Sequence, residues 1–211
     1  MLNKIKIGDI YQNYRPHDNG IQRVISFDKF EVLYDAYWEV INKWTFNDKL
    51  NGTCVYYRTL PTIFLDNAEF VREYPLSEKE FSVFRPDLPL RFCRYKELNW
   101  TKAQFDSLDQ YRNLLKNQNI DIDESFTLNV PQIALYPFRP KRGFAKASIV
   151  NALNGQYFTG LELLWYAQNL QSIYLGDNIS SGVGIFRMGH TKKVPSYYIG
   201  HYLDMAGFLK E

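Results

Sequence analysis

Apolar and polar positions along this chain recur with a period near two in parts of the first sixty residues and at helical spacing over 102–117. Ile5 to Tyr14 alternates in part, and Ile21 to Phe27 and Phe30 to Trp38 are β-branched and aromatic runs around Asp28-Lys29. That pattern predicts a β-hairpin, with Thr53 to Thr59 as a further strand. Helix starts are marked by the capping-box patterns Ser77-x-x-Glu80, Thr101-x-x-Gln104 and Thr159-x-x-Glu162. The second opens a helix over 102–117, where Ala103, Phe105, Leu108, Tyr111, Leu114 and Leu115 fall at helical spacing. The third places a helix over Leu161 to Ile173 that is apolar on most faces and hence largely buried. Arg85-Pro-Asp-Leu-Pro-Leu90 reads as a turn or extended connection, and Asn117 to Glu124 is polar and acidic enough to be a linker.

The elements add up to an α+β fold with three parts: residues 1–75 as a small β-barrel-like domain, 76–124 as a helical connector and linker, and 125–211 as a carboxy-terminal domain. With 45% apolar residues, 211 residues can bury one sizeable core or two small ones. The amino-terminal strands resemble a strongly bent barrel of the Tudor or KOW kind, entered at Gly8-Asp-Ile-Tyr11. Such barrels use exposed rings to bind nucleic acid or peptides, so Tyr11, Tyr14, Tyr37, Trp38 and Trp44 are candidates for stacking on bases. Alternation nevertheless sends about half of a strand's residues to the core. The longest uncharged run, Leu163 to Gly176, is broken by Gln168, Asn169 and Gln171, and the chain's beginning lacks an apolar signal core, so a cytoplasmic protein with no membrane partner is expected. Cys54 and Cys93 have no C-x-x-C or His spacing, which argues against a disulfide framework or structural zinc. No metal or cofactor is implied.

Charge changes this picture locally. Residues 1–125 carry 17 Lys and Arg against 19 Asp and Glu, whereas residues 126–211 carry 8 against 4. Within the basic part, Leu175-Gly-Asp-Asn-Ile-Ser-Ser-Gly-Val-Gly-Ile-Phe186 joins a predicted helix to a predicted strand. Gly176, Gly182 and Gly184 permit close backbone approach, Asn178 tolerates the left-handed region, and Ser180 and Ser181 add hydroxyl donors. Arg139, Lys141 and Arg142 precede this loop, while His190, Lys192 and Lys193 follow it. If these segments are neighbouring strand ends, their cations surround the loop and favour phosphate oxygens. A tight connection shaped by packing alone explains the same glycines.

The segment 136–188 resembles the RAMP superfamily of CRISPR systems, above all its repeat-RNA-processing endoribonucleases. The matching features are Arg139 and Arg142, the Asn154-Gly155 turn, the helix from Leu161 to Ile173, and Gly176, Gly182, Gly184 and Phe186. Asn178 stands where the family has a glycine, and Asp177 where it often has a basic residue. The resemblance implies a ferredoxin-like, RAMP-type carboxy-terminal domain that grips repeat or guide RNA. The chain would then act as a subunit of a ribonucleoprotein complex or as a metal-independent endoribonuclease.

Cleavage of that kind needs a base for the ribose 2′-hydroxyl and an acid for the leaving oxygen, roles suited to histidine. His17, in the turn-like Tyr14-Arg-Pro-His-Asp-Asn-Gly20, is the catalytic candidate; a surface histidine without catalytic role is the alternative. His190 is read as a phosphate contact and His201 as packed among aromatic rings. A different class of function stays open on the same residues: a non-enzymatic interaction or sequestering module, of a phage or mobile element, whose aromatic surface binds a host protein or a cyclic nucleotide.

Overall fold

A computed structural model of the chain describes residues 5–14, 20–29, 31–38, 43–44, 53–139, 143–175 and 182–202. In chain order the elements are β1 (Ile10–Asn13), β2 (Gly20–Phe27), β3 (Val32–Trp38), β4 (Lys43–Trp44), β5 (Thr53–Val55), β6 (Tyr57–Thr59), α1 (Pro61–Asn67), β7 (Ala68–Arg72), α2 (Glu78–Phe84), β8 (Arg91–Tyr95), α3 (Leu108–Asn117), β9 (Thr127–Leu128), β10 (Gln132–Tyr136), β11 (Phe138–Arg139), β12 (Gly143–Phe144), β13 (Ser148–Asn151), β14 (Phe158–Thr159), α4 (Gly160–Ser172), β15 (Val183–Thr191) and β16 (Val194–Gly200). The fold is α+β, with four helices and several mainly antiparallel sheets among the described residues.

Two compact units divide the chain. Unit 1 comprises residues 1–90 and 188–195, and unit 2 comprises 91–187 and 196–211. The division therefore falls at Leu90/Arg91 and not in the acidic stretch 117–124. That stretch belongs to unit 2, where Ile122 is buried and Arg112 reaches Glu124 at 3.4 Å.

In unit 1 the strands lie in the order β4-β3-β2-β1-β7, with β6 sharing the outer edge of β3. The expected hairpin is present: β2 and β3 pair antiparallel, and the turn is closed by Asp28 N–H to the Glu31 carbonyl and by Glu31 N–H to Asp28 Oδ1, both 2.9 Å. The Thr53–Thr59 segment splits, β6 pairing with β3 and β5 with residues 189–191. Successive side chains of a strand point to opposite faces, yet Val24 and Ile25, and Val32 and Leu33, are all fully buried. Val24, Val32, Tyr11 and Tyr34 pack with Phe64 of α1, while Ile25 and Leu33 pack with Val83 and Phe84 of α2.

These contacts overturn the barrel expectation. No sheet among the described residues closes on itself; a sheet covered on both faces by helices is a layered arrangement, and β7 ends it as an edge strand. Of the proposed stacking rings, Tyr11 is core and Tyr14 is exposed, donating to Glu69 at 3.0 Å. The side chains of Tyr37, Trp38 and Trp44 lie outside the described residues.

α2 carries the complete Ser77–Glu80 capping box, and Glu80 also receives Arg23 at 2.8 Å. Arg23 itself is fully buried, its guanidinium 5.5 Å from the centre of the Phe84 ring.

Unit 2 is built on a sheet in which β10 lies between β13, antiparallel, and β16, parallel; β15 follows β16 and pairs with β8. From 91 to 187 the larger elements run β8-α3-β10-β13-α4-β15, and β16 is an additional strand between β10 and β15. α4 starts where expected, Thr159 Oγ1 accepting Glu162 N–H at 3.2 Å.

The helix expected over 102–117 begins only at Leu108, capped by Ser107. The reason lies on α4. Gln168 receives Thr101 N–H at 3.2 Å and donates to the carbonyls of Thr101 and Ala103 at 2.8 and 2.7 Å. Asn169 brackets Phe105 in the same way, at 2.8 Å on both bonds, and Trp165 Nε1 adds a third bond to Phe105. Side-chain amides thus take the backbone groups a helical turn would have used, and residues 101–107 run along α4 without helical structure.

Candidate functional site

The expected glycine cradle is described only at its carboxy-terminal end. Gly176, Asn178, Ser180 and Ser181 lie outside the described residues, as do Lys141, Arg142 and His17. Gly182 and Gly184 are described, and both are buried. Gly182 has φ of +78°, and a Cβ there would fall 2.5 Å from Tyr202 Cβ and 3.0 Å from the Tyr95 carbonyl oxygen. A Cβ on Gly184 would fall 2.5 Å from the fully buried ring of Phe186. These two glycines make room for the protein's own atoms, so they are not free to receive a phosphate. The Gly182 amide is already committed to Asn99 Oδ1 at 3.1 Å.

The root of the loop has a definite geometry inside unit 2. A cavity of about 40 Å³ is lined by Trp100, Phe138, Gln171, Leu175, Ile199 and His201. Gln171 near the end of α4 clamps Phe138 through its N–H and its carbonyl, both at 2.9 Å, which fixes the start of the β11/β12 hairpin beside Leu175. Trp100 Nε1 donates to the Gly200 carbonyl at 2.8 Å, and His201 stands edge-on to Phe138 with ring centroids 6.2 Å apart. The expectation that His201 packs among aromatic rings agrees with this.

Two arginines hold residues that adjoin the lining: Phe144, edge-on to Phe138, and Tyr202, next to His201. Arg139, which follows Phe138, donates from Nη2 to the Phe144 carbonyl at 3.0 Å. Arg94 donates from Nη2 to the carbonyl of Tyr202, the neighbour of His201, at 2.8 Å, and its guanidinium lies 4.5 Å from the centre of the Tyr202 ring. Each keeps a buried Nε–H with no acceptor among the described residues. Arg94 was not legible as a site residue. β8 carries a bulge against β15, with Cys93 at φ of 55°, and a bulge re-aims the side chain that follows it without leaving a mark in the sequence pattern.

The remaining site residues belong to unit 1. His190 is fully buried, stacked on Phe84 at 6.1 Å with Nδ1 3.4 Å from the Tyr56 hydroxyl, so its imidazole offers no face to a ligand in solution. Lys192 and Lys193 form the exposed tip of the β15/β16 hairpin.

Burial sets the titration of two groups in unit 2. It raises Glu162, whose carboxylate accepts Leu153 N–H at 2.6 Å, and it pushes the Cys93 thiol well up, so that sulfur is no nucleophile. No cluster of three or more His, Cys, Asp or Glu among the described residues is placed to hold a metal ion, and no helix there is long and apolar enough to cross a membrane. No protein-family model, curated protein or solved structure matches the chain.

Proposed function

We propose that the chain binds single-stranded RNA through unit 2, with Arg94 and Arg139 meeting phosphates and the rings around the cavity meeting an unpaired base. The observation that carries this reading is an aromatic cavity beside Leu175, with the stacked Arg94–Tyr202 pair next to its His201 and Arg139 next to its Phe138 in the chain. Cations flanking aromatic faces are the chemistry single-stranded nucleic acid uses, stacking giving sequence-tolerant affinity and arginine neutralising the backbone. At about 40 Å³ the cavity admits little more than a water molecule's worth of ligand, so the base rests on its rim. A RAMP-like, ferredoxin-type identity for this unit and a place in a CRISPR ribonucleoprotein belong to the same proposal. The element order from β8 to β15 supports the ferredoxin-type part, and the resemblance at Arg139, Asn154-Gly155 and the α4 helix supports the rest.

Replacing Arg139 with Gln tests the site. The variant keeps its circular dichroism spectrum and binds a labelled single-stranded RNA more weakly, with a log–log salt slope shallower by about 0.7. Unchanged affinity and slope would remove Arg139 from the interface.

A protein-interaction module is the second reading, favoured by β7 of unit 1, an edge strand on which Phe70 and Val71 are half-exposed. The register shift between β1 and β7 argues against simple strand addition there, because bulges blunt an edge.

A further inference from the structure

The turn joining β15 to β16 consists of Lys192 and Lys193, with φ of 51° and 67°. Two-residue turns with positive φ at both central positions match the twist of a hairpin, and Asn-Gly or Asp-Gly ordinarily fills them because other L-residues crowd Cβ against the following carbonyl. Lysine has neither the flexibility of glycine nor the local side-chain hydrogen bond of asparagine. Both side chains are exposed, and neither has an ion-pair or hydrogen-bond partner among the described residues. The tip therefore carries backbone strain at two consecutive positions, held there by the pairing of β15 with β16.

Edge protection does not account for the pair, since lysines that guard a sheet lie along an unpaired strand, whereas these sit in the turn itself. What the two residues supply is a pair of ammonium groups held at the end of the β15/β16 hairpin. Strain kept in this way, at a place where a more stable choice is open, marks positions chosen for contact with a ligand.

We propose that Lys192 and Lys193 are phosphate contacts of unit 1, trading local stability for attraction to an RNA backbone. This inference rests on the RNA-binding reading above and adds to it a contact independent of the arginines of unit 2. The trade predicts opposite signs for two measurements, which neither a purely structural turn nor an incidental surface charge would produce.

The test is the double variant Lys192→Asn, Lys193→Gly in the full chain, compared with wild type and with Lys192→Arg, Lys193→Arg. The Asn-Gly variant should melt about 2–4 °C higher. It should also bind labelled single-stranded RNA more weakly, with a salt slope shallower by about 1.4 for two lost contacts. The Arg-Arg variant should keep wild-type binding without the gain in melting temperature. If wild type binds and the Asn-Gly variant binds equally well, the tip is no contact and the unit 2 reading stands. A melting temperature that falls in the Asn-Gly variant overturns the strain argument. Absence of RNA binding by wild type at low salt overturns this inference and the reading beneath it together.

Discussion

Single atoms decide what the glycines of this chain are for. A methyl group on Gly184 meets the Phe186 ring at 2.5 Å, and that ring is fully buried and stacked on Tyr198 with centroids 5.1 Å apart, so it has nowhere to retreat. Gly184→Ala should cost about 1–3 kcal/mol, the usual range for overpacking, measured as a lower urea midpoint at constant slope. A variant as stable as wild type that nevertheless loses RNA affinity would return Gly184 to the ligand. Glu80 gives a second residue-level prediction. Burial alone would raise its pKa, but hydrogen bonds from Arg23 and Ser77 outweigh burial and hold it below 4.5. A carboxylate with a depressed folded-state pKa stabilises above its unfolded value and loses that stabilisation as pH falls through the folded one. Wild type should therefore exceed Glu80→Gln in stability at pH 7, and the gap should close below about pH 4, read from denaturation midpoints at each pH. A gap independent of pH would show that the Arg23 pair is not its source.

At the scale of elements, legibility followed locality. The Ser77 and Thr159 helix starts, the α4 helix and the β2/β3 hairpin are set by neighbours within a few residues, and all are present. The Thr101 pattern failed because its competitor is remote: Gln168 and Asn169, over sixty residues away, bind the backbone that the cap would have ordered. The barrel failed for a related reason. Two-faced burial of β2 and β3 depends on helices α1 and α2, and a run such as Val24-Ile25 reads alike in a bent barrel edge and in a sandwiched strand. Gln168→Ala tests the first of these points. Removing its bonds to Thr101 and Ala103 should destabilise unit 2 by about 1–3 kcal/mol and speed hydrogen exchange at the Thr101 amide. Unchanged protection at Thr101 would mean that the 101–105 segment is held by other contacts.

For the whole molecule, the division at Leu90/Arg91 changes the electrostatics. With the acidic stretch inside it, unit 2 carries 12 Lys and Arg against 10 Asp and Glu, a weaker excess than the 8 against 4 of residues 126–211 alone. Long-range attraction of a polyanion by the net charge of unit 2 is correspondingly small, and any RNA affinity of that unit must come from placed groups: Arg94, Arg139 and the rings beside them. Of the two arginines proposed to meet RNA, Arg139 was visible in the sequence. Arg94 was hidden by a bulge, and His190 lies in a strand whose burial no local pattern announced. The account is tested most directly by titrating wild type with labelled single-stranded RNA between about 50 and 200 mM salt. It predicts saturable binding that weakens steadily with salt and exceeds binding to a duplex of the same sequence; no binding at the lowest salt, or a preference for the duplex, would contradict it.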